Sequence, residues 1–134
     1  MASPRTIDVH THLVPRGWPD LRALTGSDGW PWLRLDSERE AMLMVGEAEF
    51  RPIGSVCWSA AERLAEMDAD GVHRQVVSPT PLFFGYHRSG AEATKVARIF
   101  NDLTLECVAD GGDRLIPFCQ VPLQDADAAC TELD

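Results

Sequence analysis

The sequence predicts an α/β fold built on a parallel sheet, and three observations carry that prediction. Strand-like apolar runs alternate with amphipathic helical stretches, an order that yields parallel strands joined by right-handed crossovers. The second and third strands of this alternation open at Val72 and Arg114, so strand–helix units repeat along the chain. The three clear helical stretches begin after Ser59, Ser89 and Asp125, residue types suited to capping a helix N-terminus. A (β/α)8 barrel takes ~250 residues, whereas 134 are present. The alternation therefore fits a small open α/β sheet or the N-terminal portion of a barrel, about three βα units. The last helix meets no stop signal before Asp134, which favours the barrel portion.

The first strand runs from Thr6 to His12. Side chains alternate faces with a period of two, so Ile7, Val9 and Thr11 share one face and Asp8, His10 and His12 the other. The first face suits packing under helices. On the second, the Cα atoms of His10 and His12 stand ~6.5–7 Å apart, close enough for both imidazoles to reach one ion at about 2 Å. Pro15, Arg16 and Gly17 stop the strand. The pair thus lies at its C-terminal end, where α/β folds place ligands. Histidine pairs also occur at ordinary surfaces, so the pair nominates a metal site without defining one. Three polar side chains in succession on the inner face of a buried strand have few structural uses, however.

The segment from Arg16 to Trp32 holds Trp18, Trp30 and Trp32 among prolines and glycines. It is too aromatic for a disordered linker and is expected to pack over the site or form a satellite core. Trp32–Leu35, Ala41–Val45 and Ala48–Ile53 read as short strands around two turns, a small antiparallel insertion at about residues 32–53 within one domain of residues 1–134. Pro52 confines its strand to an edge. Ser59 and Glu62 have capping-box spacing, Ala60, Leu64 and Met67 share a helix face, and Gly71 supplies the stop. Val72–Ser78 is the second strand. The loop from Pro79 to Gly90 is expected to expose Phe83, Phe84, Tyr86, His87 and Arg88. Ser89 and Glu92 form another capping box, ahead of a helix whose inner stripe is Ala93, Val96, Ala97, Phe100, Leu103, Thr104 and Cys107. Gly111 and Gly112 end it, Arg114–Val121 is the third strand, and Asp125 caps the last helix.

Composition narrows the function classes. A hydrophobic content of 45% supports a real core. The formal charge of −9 argues against nucleic acid and anionic membrane surfaces as partners. No apolar stretch approaches the ~18–20 residues of a membrane span, and Met1 to Arg5 show no secretory h-region. Cys57, Cys107, Cys119 and Cys130 are widely spaced without a Cys-x-x-Cys, which reads as buried free thiols in a reducing, cytoplasmic setting.

Asp8-Val9-His10-Thr11-His12 resembles the first-strand motif of the amidohydrolase superfamily. Five further stretches are similar to one branch, the 2-amino-3-carboxymuconate-6-semialdehyde decarboxylases. These are Phe50-Arg51-Pro52, Met67 to Val72, Thr80 to Tyr86, Asn101-Asp102 and Gln120 to Gln124, in the right order over nearly the whole chain. The resemblance implies a distorted TIM barrel, of which this would be about the first two-fifths, with a zinc ion at its mouth held in part by His10 and His12. It implies Arg51 as an anchor for a substrate carboxylate, and a homodimer in the full-length protein. The later His and Asp ligands and the general-base His of such enzymes lie beyond the third strand, so this chain contains no catalytic base. His73 sits at the wrong end of the sheet, and His87 reads as a solvated loop residue. The activity that the resemblance implies is zinc-dependent, non-oxidative decarboxylation of 2-amino-3-carboxymuconate 6-semialdehyde, a small carboxylate of tryptophan (kynurenine) or nitrobenzoate catabolism. Phe84 and Tyr86 are candidate pocket walls. Asp8 is a candidate for orienting a ligand imidazole.

Two alternatives stay open. One is another metal-dependent hydrolase, hydratase or aromatic-acid decarboxylase of the same superfamily, because one His-x-His strand serves all of these chemistries. The other is a non-catalytic α/β module that binds a partner and keeps a vestigial site.

Overall fold

The computed structural model describes residues 5–133. The chain runs β1 (Ile7–Leu13), α1 (Leu21–Thr25), β2 (Pro31–Leu35), β3 (Glu40–Val45), β4 (Ala48–Gly54), α2 (Ala60–Asp70), β5 (Arg74–Pro79), α3 (Gly90–Val108), β6 (Leu115–Pro117) and α4 (Ala126–Leu133). Short 3-10 turns precede α2, follow β5 and follow α3. The strands β1, β5 and β6 form a parallel sheet in the order β1-β5-β6. The antiparallel sheet β2-β3-β4 is the expected insertion, with Pro52 on its edge strand β4, opposite Met42. Met1 to Pro4 and Asp134 fall outside the described residues, as does most of the stretch read for a secretory signal.

Local chemistry explains the helices. Ser59 accepts the Glu62 backbone N–H at the start of α2, and Gly71 closes that helix in the left-handed region at φ 70°. Only half of the expected capping box forms there. The Ser59 N–H goes to the Ser55 carbonyl, and the Glu62 carboxylate turns to the Ser55 hydroxyl and to Arg39. At α3 the full Ser89–Glu92 box is present. Asp125 accepts the Ala128 N–H at the start of α4.

Two clusters make up the core. Leu13, Ala60, Met67, Val77, Val108 and Leu115 bury the parallel sheet against α2 and the end of α3. Val14, Leu21, Trp30, Leu43, Phe83, Val96 and Phe100 join the tryptophan segment, the insertion and α3. Phe83 and Phe100 stack at 3.9 Å between ring centroids, and Trp18 packs on both. The segment from Arg16 to Trp32 is therefore part of the core, and it contains a helix, α1, that the turn-rich sequence concealed.

Four expectations are corrected. Phe83 is fully buried, because the 3-10 turn Pro81–Phe83 rotates it inward onto Phe100. In the same loop Phe84 and Arg88 are half-buried, and Tyr86 and His87 are exposed. The third strand is three residues long. The Phe118 N–H still reaches the Val77 carbonyl, but the Gln120 N–H is taken by the Asn101 side chain on α3, which pulls the chain off the sheet. The face shared by Ile7 and Val9 is not covered by helices: Ile7 is 50% and Val9 72% exposed. β1 is an edge strand of the parallel sheet, and Ile7 and Val9 stay open to solvent near its start. Cys119 and Cys130 are exposed, and only Cys57 and Cys107 are half-buried. Burial pushes both of those thiols up, with Arg63 opposing the shift in part. All four cysteines are free.

Phe100→Ala is expected to destabilise the chain by about 3–5 kcal/mol, read as a lower midpoint in urea unfolding. A loss below about 1 kcal/mol would show that the aromatic cluster is not the centre of the core.

Candidate metal centre

The candidate centre lies on β1, and its geometry begins with an irregularity in the pairing to β5. Asp8 stands across from Gln75 and Thr11 across from Val77. Three steps on β1 thus match two on β5, so Val9 and His10 together face the single residue Val76. This is a β-bulge, which leaves backbone groups unpaired and re-aims the side chains around it. Two side chains of β1 satisfy those groups. Asp8 Oδ1 accepts the His10 N–H at 3.1 Å, and the Thr11 hydroxyl donates to the Val76 carbonyl at 2.8 Å. Asp8 was expected to orient an imidazole. In the structure its carboxylate holds the His10 backbone.

The rings of His10 and His12 come together edge-to-face, with centroids 5.1 Å apart and planes at 89°. Two imidazoles bound to one ion at about 2 Å per nitrogen, with a near-tetrahedral angle between them, have centroids about 5 Å apart. The ring separation is that of two imidazoles on one cation. His12 is half-buried and His10 exposed, so the open side of the pair faces solvent. His12 Nδ1 lies 3.0 Å from the Ser78 hydroxyl on β5. The His12 carbonyl accepts from Arg63 of α2 at 2.9 Å, and the same guanidinium donates to Gln75 Oε1 at 3.2 Å. Burial lowers the Arg63 pKa from its ordinary value. The side chain gives up solvent to tie α2 to both β1 and β5.

The other sequence-derived candidates are not gathered at this point. Among the described residues no cluster of three or more His, Cys, Asp or Glu side chains is placed to hold a metal. Arg51 lies on β4 in the second sheet, exposed and with its guanidinium 6.0 Å from the centre of the Phe50 ring. Phe84 and Tyr86 pack on each other at 5.4 Å in the loop that follows β5. Gly85 between them has φ 61°, and a Cβ there would meet the Trp30 ring at 2.6 Å, so only glycine fits. Arg88 covers the other part of Trp30, 4.0 Å from the ring centre. His73 precedes β5, at the opposite end of the sheet from His12, and His87 is exposed.

Sequence reasoning missed Ser78, Arg63 and the second role of Thr11. Arg63 carried a signal, because it falls on the Ala60–Met67 face of α2, where a charge is out of place. The bulge had none, since a strict two-residue alternation places His10 and His12 together just as well.

No protein-family model matches the chain. It is 34% identical over 127 residues to the 2-amino-3-carboxymuconate-6-semialdehyde decarboxylase of Dictyostelium discoideum, covering 95% of this chain and 35% of that protein. It is 37% identical over 71 residues to the gamma-resorcylate decarboxylase of Rhizobium sp. (strain MTP-10005), covering 53% of this chain and 22% of that protein. The chain is a relative of these decarboxylases. The crystal structure of apo IDCase from Metarhizium anisopliae superposes on 98% of the chain and 39% of its own length, with a TM-score of 0.67 at 21% identity. At that identity the likeness establishes the fold, the N-terminal portion of a TIM barrel. The chain spans about a third of the length of the decarboxylase from Dictyostelium.

Arg63→Met is expected to cost about 1.5–3 kcal/mol in urea unfolding, because it leaves the His12 carbonyl and the Gln75 amide oxygen without their charged donor. Wild-type stability in that variant would show that the buried guanidinium does not hold β1.

Proposed function

We propose that this chain supplies part of the active site of a zinc-dependent enzyme that decarboxylates 2-amino-3-carboxymuconate 6-semialdehyde without oxidation. The observation that carries the reading is the pairing of the His10 and His12 rings at 5.1 Å on one face of β1. The similarity to the Dictyostelium decarboxylase over 95% of the chain supports the reaction class. His10 and His12 would hold the ion, and two imidazole nitrogens suit zinc. When bound, zinc supplies Lewis acidity and lowers the pKa of water towards neutrality.

The chain's own residues have separate tasks in this reading. Asp8 holds the His10 backbone in the bulge, and Arg63 holds that of His12. Arg51 presents a planar fork suited to a substrate carboxylate. Phe84 and Tyr86 form apolar wall on the loop at the same end of the sheet as His12. No residue here serves as general base. Two protein ligands fall short of the about three that a catalytic zinc takes. The 134-residue chain alone is therefore expected to bind zinc weakly and to show no turnover. The full-length protein would complete the site as a cytoplasmic homodimer.

A second reading has its own support. The similarity to gamma-resorcylate decarboxylase over 71 residues favours an aromatic carboxylic acid as substrate. Carbon dioxide release by the full-length protein from the two substrate classes separates these readings.

In the full-length protein, His10→Ala is expected to reduce both bound zinc and turnover by on the order of 100-fold or more. Normal metal content and rate in that variant would end the metal assignment. Arg51→Lys is expected to raise KM by about 10-fold with a smaller effect on kcat, since it trades a bidentate contact for a point charge. An unchanged KM would remove Arg51 from the site.

A further inference from the structure

The parallel register sets Ser78, near the end of β5, directly across from His12. Its hydroxyl oxygen lies 3.0 Å from His12 Nδ1 and 3.4 Å from the Thr11 carbonyl oxygen. A serine hydroxyl has one proton to donate, and a carbonyl oxygen can only accept. With that proton directed at Thr11, the serine oxygen becomes an acceptor towards His12, and the imidazole carries its proton on Nδ1. Nε2 then keeps its lone pair. The reverse assignment would direct the serine proton at Nδ1, place the ring proton on Nε2 and leave that nitrogen unable to bind a cation. The bulge and Arg63 hold the backbone on either side of His12.

We infer that Ser78 is a positioning residue that holds His12 in its Nδ1-protonated tautomer, with Nε2 free for a divalent cation. The inference rests on the proposed metal site for its purpose, but not for its test. Ser78 touches neither substrate nor metal and acts only through the ring.

The tautomer is read by long-range ¹H–¹⁵N spectra of the metal-free, ¹⁵N-labelled chain at a pH well above the imidazole range. The expected result is a protonated Nδ1 and a bare Nε2 at His12, retained in Ser78→Thr and lost to a tautomer mixture in Ser78→Ala. Calorimetric titration of the full-length protein with zinc is expected to show an affinity 10–100-fold weaker in Ser78→Ala than in wild type, with recovery in Ser78→Thr. A proton on Nε2 in the wild-type chain overturns the inference, as does a Ser78→Ala spectrum with the His12 tautomer unchanged. If Ser78→Ala does not fold, the wild-type and Ser78→Thr spectra decide the question by themselves. A full-length protein that shows the expected tautomers but holds no zinc sinks the metal-site reading and leaves the role of Ser78 standing.

Discussion

The parallel pairing of β1 with β5, with one residue too many on the β1 side, is the constraint on which the histidine site depends. A bulge costs ladder hydrogen bonds, and it persists where other groups take them over. Here they come from within the strand: Asp8 for the His10 amide, and Thr11 for the Val76 carbonyl. The neighbours of the histidines in the Asp8–His12 motif thus maintain the backbone that aims the rings. A variant at Asp8 or Thr11 acts on the site through main-chain geometry.

The rest of the molecule supports that strand from one side only. α2 packs against β1 and β5 through Ala60 and Met67 and sends the Arg63 guanidinium between them. At the other end of the sheet Arg114 bonds to the carbonyls of Val72 and His73 and pairs with Asp68, closing the turn between α2 and β5. The polar pair Asn101–Gln120 fastens the segment after β6 to α3, and Gln120 reaches on to the Phe83 carbonyl. The buried polar groups in this half of the molecule join elements distant in sequence, which is where such bonds add most to a unique arrangement. The outer edge of β1, by contrast, has no strand neighbour among the described residues, and the Ile7 and Val9 side chains are exposed.

Much of the fold was legible because it is written in local periodicity and capping chemistry. The order of strands and helices, the insertion with its edge-strand proline, the Ser89–Glu92 box and the Gly71 stop all follow from residues within a turn or two of each other. What could not be read depends on partners far away in the sequence. Phe83 in an apparently exposed loop is buried by Phe100, and the third strand is cut short by Asn101. The two histidines were legible from spacing. Their supports were not, because Ser78 and Arg63 reach His12 across 66 and 51 residues. The bulge was hidden for another reason: it arises from a mismatch between two strands and has no signature in either one.

The insertion shares a single hydrophobic cluster with the rest of the chain. Leu43 of β3 is buried with Phe83, Val96 and Phe100, and Leu33 and Ile53 pack against them. A sheet fastened in this way cannot be removed without uncovering the buried side chains it packs on. Nor can it swing as a flap. A replacement at exposed Arg51 on β4 therefore alters that surface without touching the buried cluster beneath it.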